Sequence, residues 1–136
     1  MTLLSIVIPV HNQSGYTRSC LASLRQYPPS IPFEVIVVDD GSTDDTAQVV
    51  ASFTEALPVR LVANQPPHRF ARACNRGAAE AGGELLLLLN NDTELLPGWF
   101  EPLYRVLTAH QEIGIVVPKL LDRKSTRLNS SHGKLS

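Results

Sequence analysis

Four short blocks of this chain, Leu3–Val10, Phe33–Val38, Val59–Ala63 and Leu85–Leu89, are built almost entirely from apolar side chains, many of them β-branched. A strand solvated on one face alternates apolar with polar residues. Near-continuous apolar runs instead belong to strands covered on both faces, the condition of a parallel sheet between helices. The intervening segments carry helical spacing. Thr17, Cys20, Leu21 and Leu24 lie at i, i+3, i+4 and i+7, ahead of Pro28-Pro29, which stop a helix. Ala47, Val50, Phe53 and Leu57 form a second stripe, behind Ser42 and Thr43 as candidate caps. Arg69–Ala81 reads as a helix closed by Gly82-Gly83. Phe100, Leu103, Tyr104 and Leu107 form a stripe behind Pro97. Gly114–Pro118 supplies a fifth apolar run, and the purely apolar Leu85–Leu89 is expected at the sheet's centre. Alternation of this kind predicts an α/β fold, an open and mostly parallel sheet with helices on both faces.

The 136 residues provide for one domain with one core. A net charge of -1 gives no basic footprint for a nucleic acid polymer. Of 12 basic and 13 acidic residues, four basic and one acidic fall within 122–136, so the body is acidic. An anionic ligand would therefore need a cation or helix N-termini. Cys20 and Cys74 lie in apolar helical contexts and read as buried free thiols of a reducing, cytoplasmic protein. In a full-length parent that protein would stand at the inner face of the membrane. No basic segment ahead of an apolar one marks a signal peptide, and no apolar run approaches the roughly 18 residues of a membrane span. Residues 1–121 are expected to form the domain. Residues 122–136 are polar and aperiodic, and are expected to be a disordered tail or foreign sequence resembling translated adapter, joined where the coding region was cut.

In an open parallel sheet, ligands bind beyond the carboxyl ends of the strands, near the point where strand order reverses. The first strand is followed by Pro9, Val10, His11 and Asn12; the second by Asp39, Asp40, Gly41 and Ser42; the fourth by Asn90, Asn91, Asp92 and Thr93. Absences narrow the chemistry. The glycine-rich dinucleotide fingerprint, the P-loop, the nucleophile-elbow serine and the paired-histidine zinc motif are all missing from the sequence. What remains is carboxylates at strand ends. They can accept hydrogen bonds from a base imide or ribose hydroxyls, or hold a divalent cation on a diphosphate. Asp40, Ser42, Thr43 and Asp44 read mainly as turn and cap residues, and Arg72 and Arg76 as a solvated helix face. His68, His110 and His132 show no ligand spacing.

Ser5-Ile6-Val7-Ile8-Pro9-Val10-His11-Asn12, Val35–Asp44 and Leu88-Leu89-Asn90-Asn91-Asp92 resemble the three signature blocks of family 2 glycosyltransferases. Arg69-Phe70-Ala71-Arg72-Ala73-Cys74-Asn75-Arg76-Gly77 resembles that family's fourth, helical block, and the four stand in family order over residues 3–121. The resemblance implies a GT-A, Rossmann-like fold, incomplete in this chain. It also implies inverting transfer of a sugar from a nucleotide-diphosphate donor, UDP- or dTDP-linked, to a hydroxyl acceptor (glycan, lipid or protein), with Mg²⁺ or Mn²⁺ as cofactor. Pro9 and Val10 would set backbone against the nucleobase, with His11 beside it, and Asp39 would bind the base. Arg69 would reach base or diphosphate. Asn90, which replaces the first Asp of the family's D-x-D element, and Asn91 would contact ribose or sugar, and Asp92 would ligate the metal. The Leu89–Asp92 form resembles transferases that build rhamnose- or galactofuranose-containing surface glycans. The general base is implied in an acceptor-binding half well beyond Asp92. No candidate for it occurs before Leu121, so the chain is expected to be a truncated donor-binding portion, inactive alone. A non-catalytic nucleotide-sugar-binding fragment is the alternative. A sugar-nucleotidyltransferase lacks its basic glycine-rich loop here, and a phospho-acceptor receiver would carry its acidic pair after the first strand.

Overall fold

In the computed structural model the described residues are 2–64, 69–109, 120–121 and 128–129. Chain order runs β1 (Leu4–Val10), α1 (Ser14–Gln26), β2 (Phe33–Asp39), α2 (Thr46–Ala51), β3 (Val59–Ala63), α3 (Arg69–Glu80), β4 (Leu85–Leu88), α4 (Phe100–Ala109), β5 (Leu120–Leu121) and β6 (Leu128–Asn129). The first four strands form one parallel sheet in the order β3-β2-β1-β4. The chain steps outward from β1 to β3 and then returns to the far side of β1, so strand order reverses between β1 and β4. Leu85–Leu88 was expected to be central; among the described residues it is an end strand, with Leu85 and Leu86 half-buried. The expected strand over Gly114–Pro118 lies outside the described residues. Leu120–Leu121 pairs antiparallel with Leu128–Asn129, in register Leu120 with Asn129. Among the described residues no helix is long and apolar enough to cross a membrane.

Strand alternation sorts the sheet's side chains into two apolar layers. Leu4, Ile6, Ile8 and Val10 of β1 and Val35 and Val37 of β2 pack with Cys20, Leu21 and Leu24 of α1 and with Val49 and Val50 of α2; Phe100 and Leu103 of α4 join the same cluster. Val7, Ile36, Val38, Val62 and Leu88 face the other way, against Ala73 and Cys74 of α3. The sheet is thus covered on both faces, as its unbroken apolar strands require.

Two local expectations change. α2 is only six residues long, and Ser42 and Thr43 do not cap it. The N-cap position is Asp45, which makes no side-chain cap bond; just ahead of it Asp44 accepts the Thr46 N–H at 3.1 Å and the Thr46 hydroxyl. Its buried face is Thr46, Val49 and Val50, continued by Phe53 and Leu57 in the turns that follow, while Ala47 is exposed. α1 keeps its expected face, with Thr17, Cys20, Leu21 and Leu24 buried; of the face expected for α4, Phe100 and Leu103 are buried, Tyr104 is half-buried and the Leu107 side chain lies outside the described residues.

At the amino ends of the strands, opposite the candidate site, Glu34 ties three elements together. Its Oε2 accepts the Ser5 hydroxyl at 2.6 Å and the Gly82 N–H at 2.7 Å, and Arg60 Nη2 stands 3.6 Å from Oε1. Burial works against ionisation there, but the hydrogen bonds from Ser5 and Gly82 and the Arg60 charge outweigh it and hold the carboxyl below its ordinary value. A folded pKa below the unfolded one stabilises the fold above about 4.5, the usual glutamate value, and that stabilisation is lost as pH falls through the folded value. Urea denaturation should therefore show Glu34→Gln clearly less stable than the parent at pH 7, with the gap closing toward pH 3. A gap independent of pH would show that the ionised carboxylate contributes nothing.

α3 lies close on the sheet because residue 77 is glycine. A Cβ there would sit 3.0 Å from Val38 Cγ2 and closer still to Val7 Cγ1. Alanine would add about 1 kcal/mol of helix propensity, but overpacking a filled core typically costs ~1–3 kcal/mol. Gly77→Ala should lower the urea midpoint; an unchanged or raised midpoint would show that the helix can lift off the sheet without cost.

Candidate functional site

The register of the sheet carries three strand ends to one edge. Val10 is level with Asp39, and Asp39 with Ala63. The ladder runs one residue further, with Asp40 N–H donating to the Val10 carbonyl at 2.8 Å, Asn64 N–H to Asp39 at 2.8 Å and Leu89 N–H to Val7 at 2.9 Å. Beyond these ends opens a cavity of about 300 Å³ lined by Pro9, Val10, His11, Asp40, Ala73, Asn90, Asn91 and Asp92. Its size is at the lower end for small-ligand clefts, and it lies where strand order reverses.

Of the residues expected at the site from sequence, Pro9, Val10, His11, Asn90, Asn91 and Asp92 line this cavity; Asp39 does not. Successive strand residues point to opposite faces. Asp39 follows the phase of Val35 and Val37, and its Oδ1 accepts the Ser42 N–H at 3.0 Å, closing the turn. Asp40 follows the phase of Ile36 and Val38, toward α3, and reaches the cavity wall. It is 7% exposed, and its Oδ1 accepts from Asn64 Nδ2 at 3.1 Å. Asp40, read from sequence as a turn residue, is thus the carboxylate that lines the cavity at this strand end, and the phase of the β2 alternation was the available signal. Arg69 is the first residue of α3, and its side chain falls outside the described part of the structure. Arg72 and Arg76 are exposed, as a solvated face requires, and Arg76 Nε lies 3.8 Å from Glu80 Oε2.

His11 is an exposed residue whose Nδ1 lies 2.7 Å from the Asp40 backbone oxygen. A carbonyl only accepts, so Nδ1 carries the proton and donates, which leaves Nε2 as an acceptor in the neutral ring. On the far wall, α1 fastens the segment that follows β4 through three polar residues three apart. Asn91 Nδ2 donates to Thr17 Oγ1 at 3.3 Å, the Cys20 thiol points at the Asn90 carbonyl at 4.0 Å, and Leu95 N–H donates to Ser23 Oγ at 2.9 Å. All three are buried. Burial, with a smaller contribution from the Asp92 charge, pushes the Cys20 thiol up to about 12, and burial also raises half-buried Cys74. Both cysteines are free.

Asp92 is exposed at the cavity mouth beside the amide side chains of Asn90 and Asn91. Among the described residues no group of three or more His, Cys, Asp and Glu could hold a metal ion. One carboxylate with amide oxygens is nevertheless a hard donor set, compatible with an ion such as Mg²⁺ that takes one or two protein carboxylates and completes its shell with water and ligand phosphate.

A doubly wound sheet with a polar cleft at its switch point defines a nucleotide-binding class of α/β domain. The sequence model of glycosyl transferase family 2 matches residues 5–134, and the chain belongs to that family. A validoxylamine A glucosyltransferase of Streptomyces hygroscopicus subsp. jinggangensis is 42% identical over 112 residues, which are 79% of this chain and 25% of that protein. The structure of Staphylococcus aureus TarS 1-349 in complex with UDP-GlcNAc superposes with a TM-score of 0.69 at 25% identity, covering 81% of this chain and 32% of that one. Mannosyltransferase PcManGT from Pyrobaculum calidifontis, in complex with GDP-Man and Mn²⁺, matches at a TM-score of 0.61 and 26% identity over 67% of this chain and 28% of its own. The chain spans 24–32% of the length of the first three curated relatives it matches.

The packing of the two cysteines gives a direct check. At pH 8 a thiol reagent should label Cys74 and spare Cys20 in the folded chain, while both react in denaturant, because reactivity follows the thiolate fraction and access. Equal labelling of the two in the folded state would show that α1 is not closed over the 90–95 segment.

Proposed function

We propose that this chain forms the donor side of a glycosyl-transfer site, holding a UDP- or dTDP-linked sugar for inverting transfer to a hydroxyl acceptor in the assembly of cell-surface polysaccharide. The observation that carries the reading is the convergence of three strand ends on one cavity, with a buried carboxylate, Asp40, at one wall and an exposed one, Asp92, at the other. The structure of TarS with UDP-GlcNAc supports the donor class.

In this reading Asp40 accepts from the imide N–H of a pyrimidine, its orientation fixed by Asn64, and takes the role expected of Asp39. The backbone of Pro9 and Val10 forms the floor under the base, and the His11 ring flanks it with Nε2 free to accept. Asn90 and Asn91 offer amide groups to ribose and sugar hydroxyls, and Arg69 serves the diphosphate. Asp92 would hold Mg²⁺ or Mn²⁺, a choice supported by the PcManGT complex with Mn²⁺. When bound, the cation supplies positive charge to the leaving diphosphate. Asp40 and Asp92 are the carboxylates of the cavity wall, and both are engaged by the donor, so the base that deprotonates the acceptor is assigned to the acceptor half of the larger enzyme. Residues 1–121 constitute the donor half. The free thiols suit a reducing cytoplasmic site at the inner membrane face.

Calorimetry with UDP, dTDP and GDP, each with and without Mn²⁺, tests this. UDP or dTDP should bind more tightly than GDP, and Mn²⁺ should strengthen the binding. Asp92→Asn should remove the Mn²⁺ effect. Asp40→Asn should weaken binding with or without metal by about 10- to 100-fold, the loss of a charged hydrogen bond, whereas Asp39→Asn should leave it near the parent value. Failure of the folded protein to bind any of the three at millimolar concentration would overturn the proposal.

A further inference from the structure

The turn between β1 and α1 contains two consecutive non-glycine residues in the left-handed region, Asn12 at φ 55° and Gln13 at φ 60°. That region is uncommon for residues with a Cβ, and asparagine is among the few that tolerate it. The conformation puts Asn12 to an unusual use. It adjoins the α1 N-cap, where an asparagine side chain ordinarily bonds its own helix, and the cap residue Gln13 makes no side-chain cap bond. The Asn12 carboxamide instead crosses to the loop after β2. Its Oδ1 accepts the Thr43 N–H at 2.8 Å, the Asp44 N–H at 3.3 Å and the Thr43 hydroxyl at 3.4 Å. Its own N–H donates to Ser42 Oγ at 2.7 Å, and the neighbouring Ser14 N–H donates to Asp44 Oδ2 at 3.1 Å.

These bonds begin where the β ladder stops. The last main-chain bond between the two strands is Asp40 N–H to Val10, and past it the loop has no sheet partner in register. Between that bond and the Asn12 contacts lies the hydrogen bond from His11 Nδ1 to the Asp40 carbonyl. The two cavity residues on this side are therefore bracketed, by the ladder behind and by Asn12 in front. We infer that Asn12 is a positioning residue of the donor site, its carboxamide pinning the β2–α2 loop to the β1–α1 turn and so fixing His11 against Asp40 at the nucleoside end. This rests on the donor-site reading above. The far wall is held separately, by Thr17, Cys20 and Ser23, so the effect of Asn12 is confined to the base and does not extend to the metal.

The decisive variant is Asn12→Gly, because glycine keeps the left-handed backbone without strain and removes only the carboxamide. Its thermal midpoint should stay near that of the parent. UDP affinity measured without metal should fall about tenfold or more, as expected when several hydrogen bonds holding a loop are released. The factor by which Mn²⁺ improves UDP binding should be retained. A ligand-free measurement stands beside it: ¹⁵N NMR of the His11 ring should show the Nδ1–H tautomer in the parent and a shift toward the mixture of a solvated imidazole in Asn12→Gly. Unchanged UDP affinity, an unchanged His11 tautomer, or loss of the Mn²⁺ factor in step with affinity would each overturn the inference. If the parent itself bound none of the nucleotides, the donor reading would fall, and the His11 measurement would still decide whether Asn12 positions that ring.

Discussion

β1 is hydrogen-bonded along both edges, to β2 and to β4, and covered on both faces, with Leu4, Ile6 and Ile8 against the α1 and α2 side and Val7 against α3. A parallel strand in that position cannot slip. A one-residue shift would exchange its two apolar faces and unpair a buried ladder on both sides at once. The groups at the carboxyl edge take their heights from this strand. Because Val10 is level with Asp39 and the ladder bond from Asp40 follows directly, the carboxylate is delivered beside Pro9 and His11; because β4 pairs with the other edge, Asn90–Asp92 arrive opposite.

Past the strand ends the backbone has no sheet to lean on, and side chains take over. One set of contacts, centred on Asn12, joins the first two loops, and another, along α1, holds the segment after β4. The α1 set is buried or half-buried, where each bond is worth more and each missing partner costs more than on the surface, whereas the Asn12 bonds to Thr43 and Asp44 are exposed. Among the described residues the Thr93 hydroxyl is the one buried side-chain polar atom without a hydrogen-bond partner, directly after Asp92. The two ends of the domain are thus built differently. The amino edge is closed by the Glu34, Ser5, Arg60 and Gly82 cluster, whereas the carboxyl edge leaves an open cleft with its polar groups turned inward.

That division suits donor binding in a family whose ligand carries both an uncharged base and a charged diphosphate. Asp40 is buried and bonded to Asn64, while Asp92 is exposed and keeps its hydration. In the proposed donor site the two would divide the work, Asp40 toward the base and Asp92 toward the phosphates, about the single cleft that both line.

Much of this was legible in the residues themselves. Near-continuous apolar runs between turn residues read as strands covered on both faces, and the helical stripes name the buried residues of α1 and, in α4, Phe100 and Leu103, because both follow from backbone periodicity. The strand-end clusters at His11, Asp39-Asp40 and Asn90–Asp92 also announce themselves, since polar residues directly after buried strands must stand at an edge. The sequence did not decide which of two adjacent aspartates enters the cleft. That depends on the phase of β2 relative to α3, which is set by packing across the sheet. Nor did it show that Leu85–Leu88 is an end strand of the described sheet, because hydrophobicity reports burial and not neighbour order. Ser42 and Thr43 do not cap α2, which begins beyond Asp45; they are bonded instead to Asn12, about thirty residues away in the chain. The sequence by itself determined the elements, their buried faces and the edge where chemistry gathers. Only the tertiary structure decided which side chains meet there, because those meetings depend on contacts between segments that no local pattern encodes.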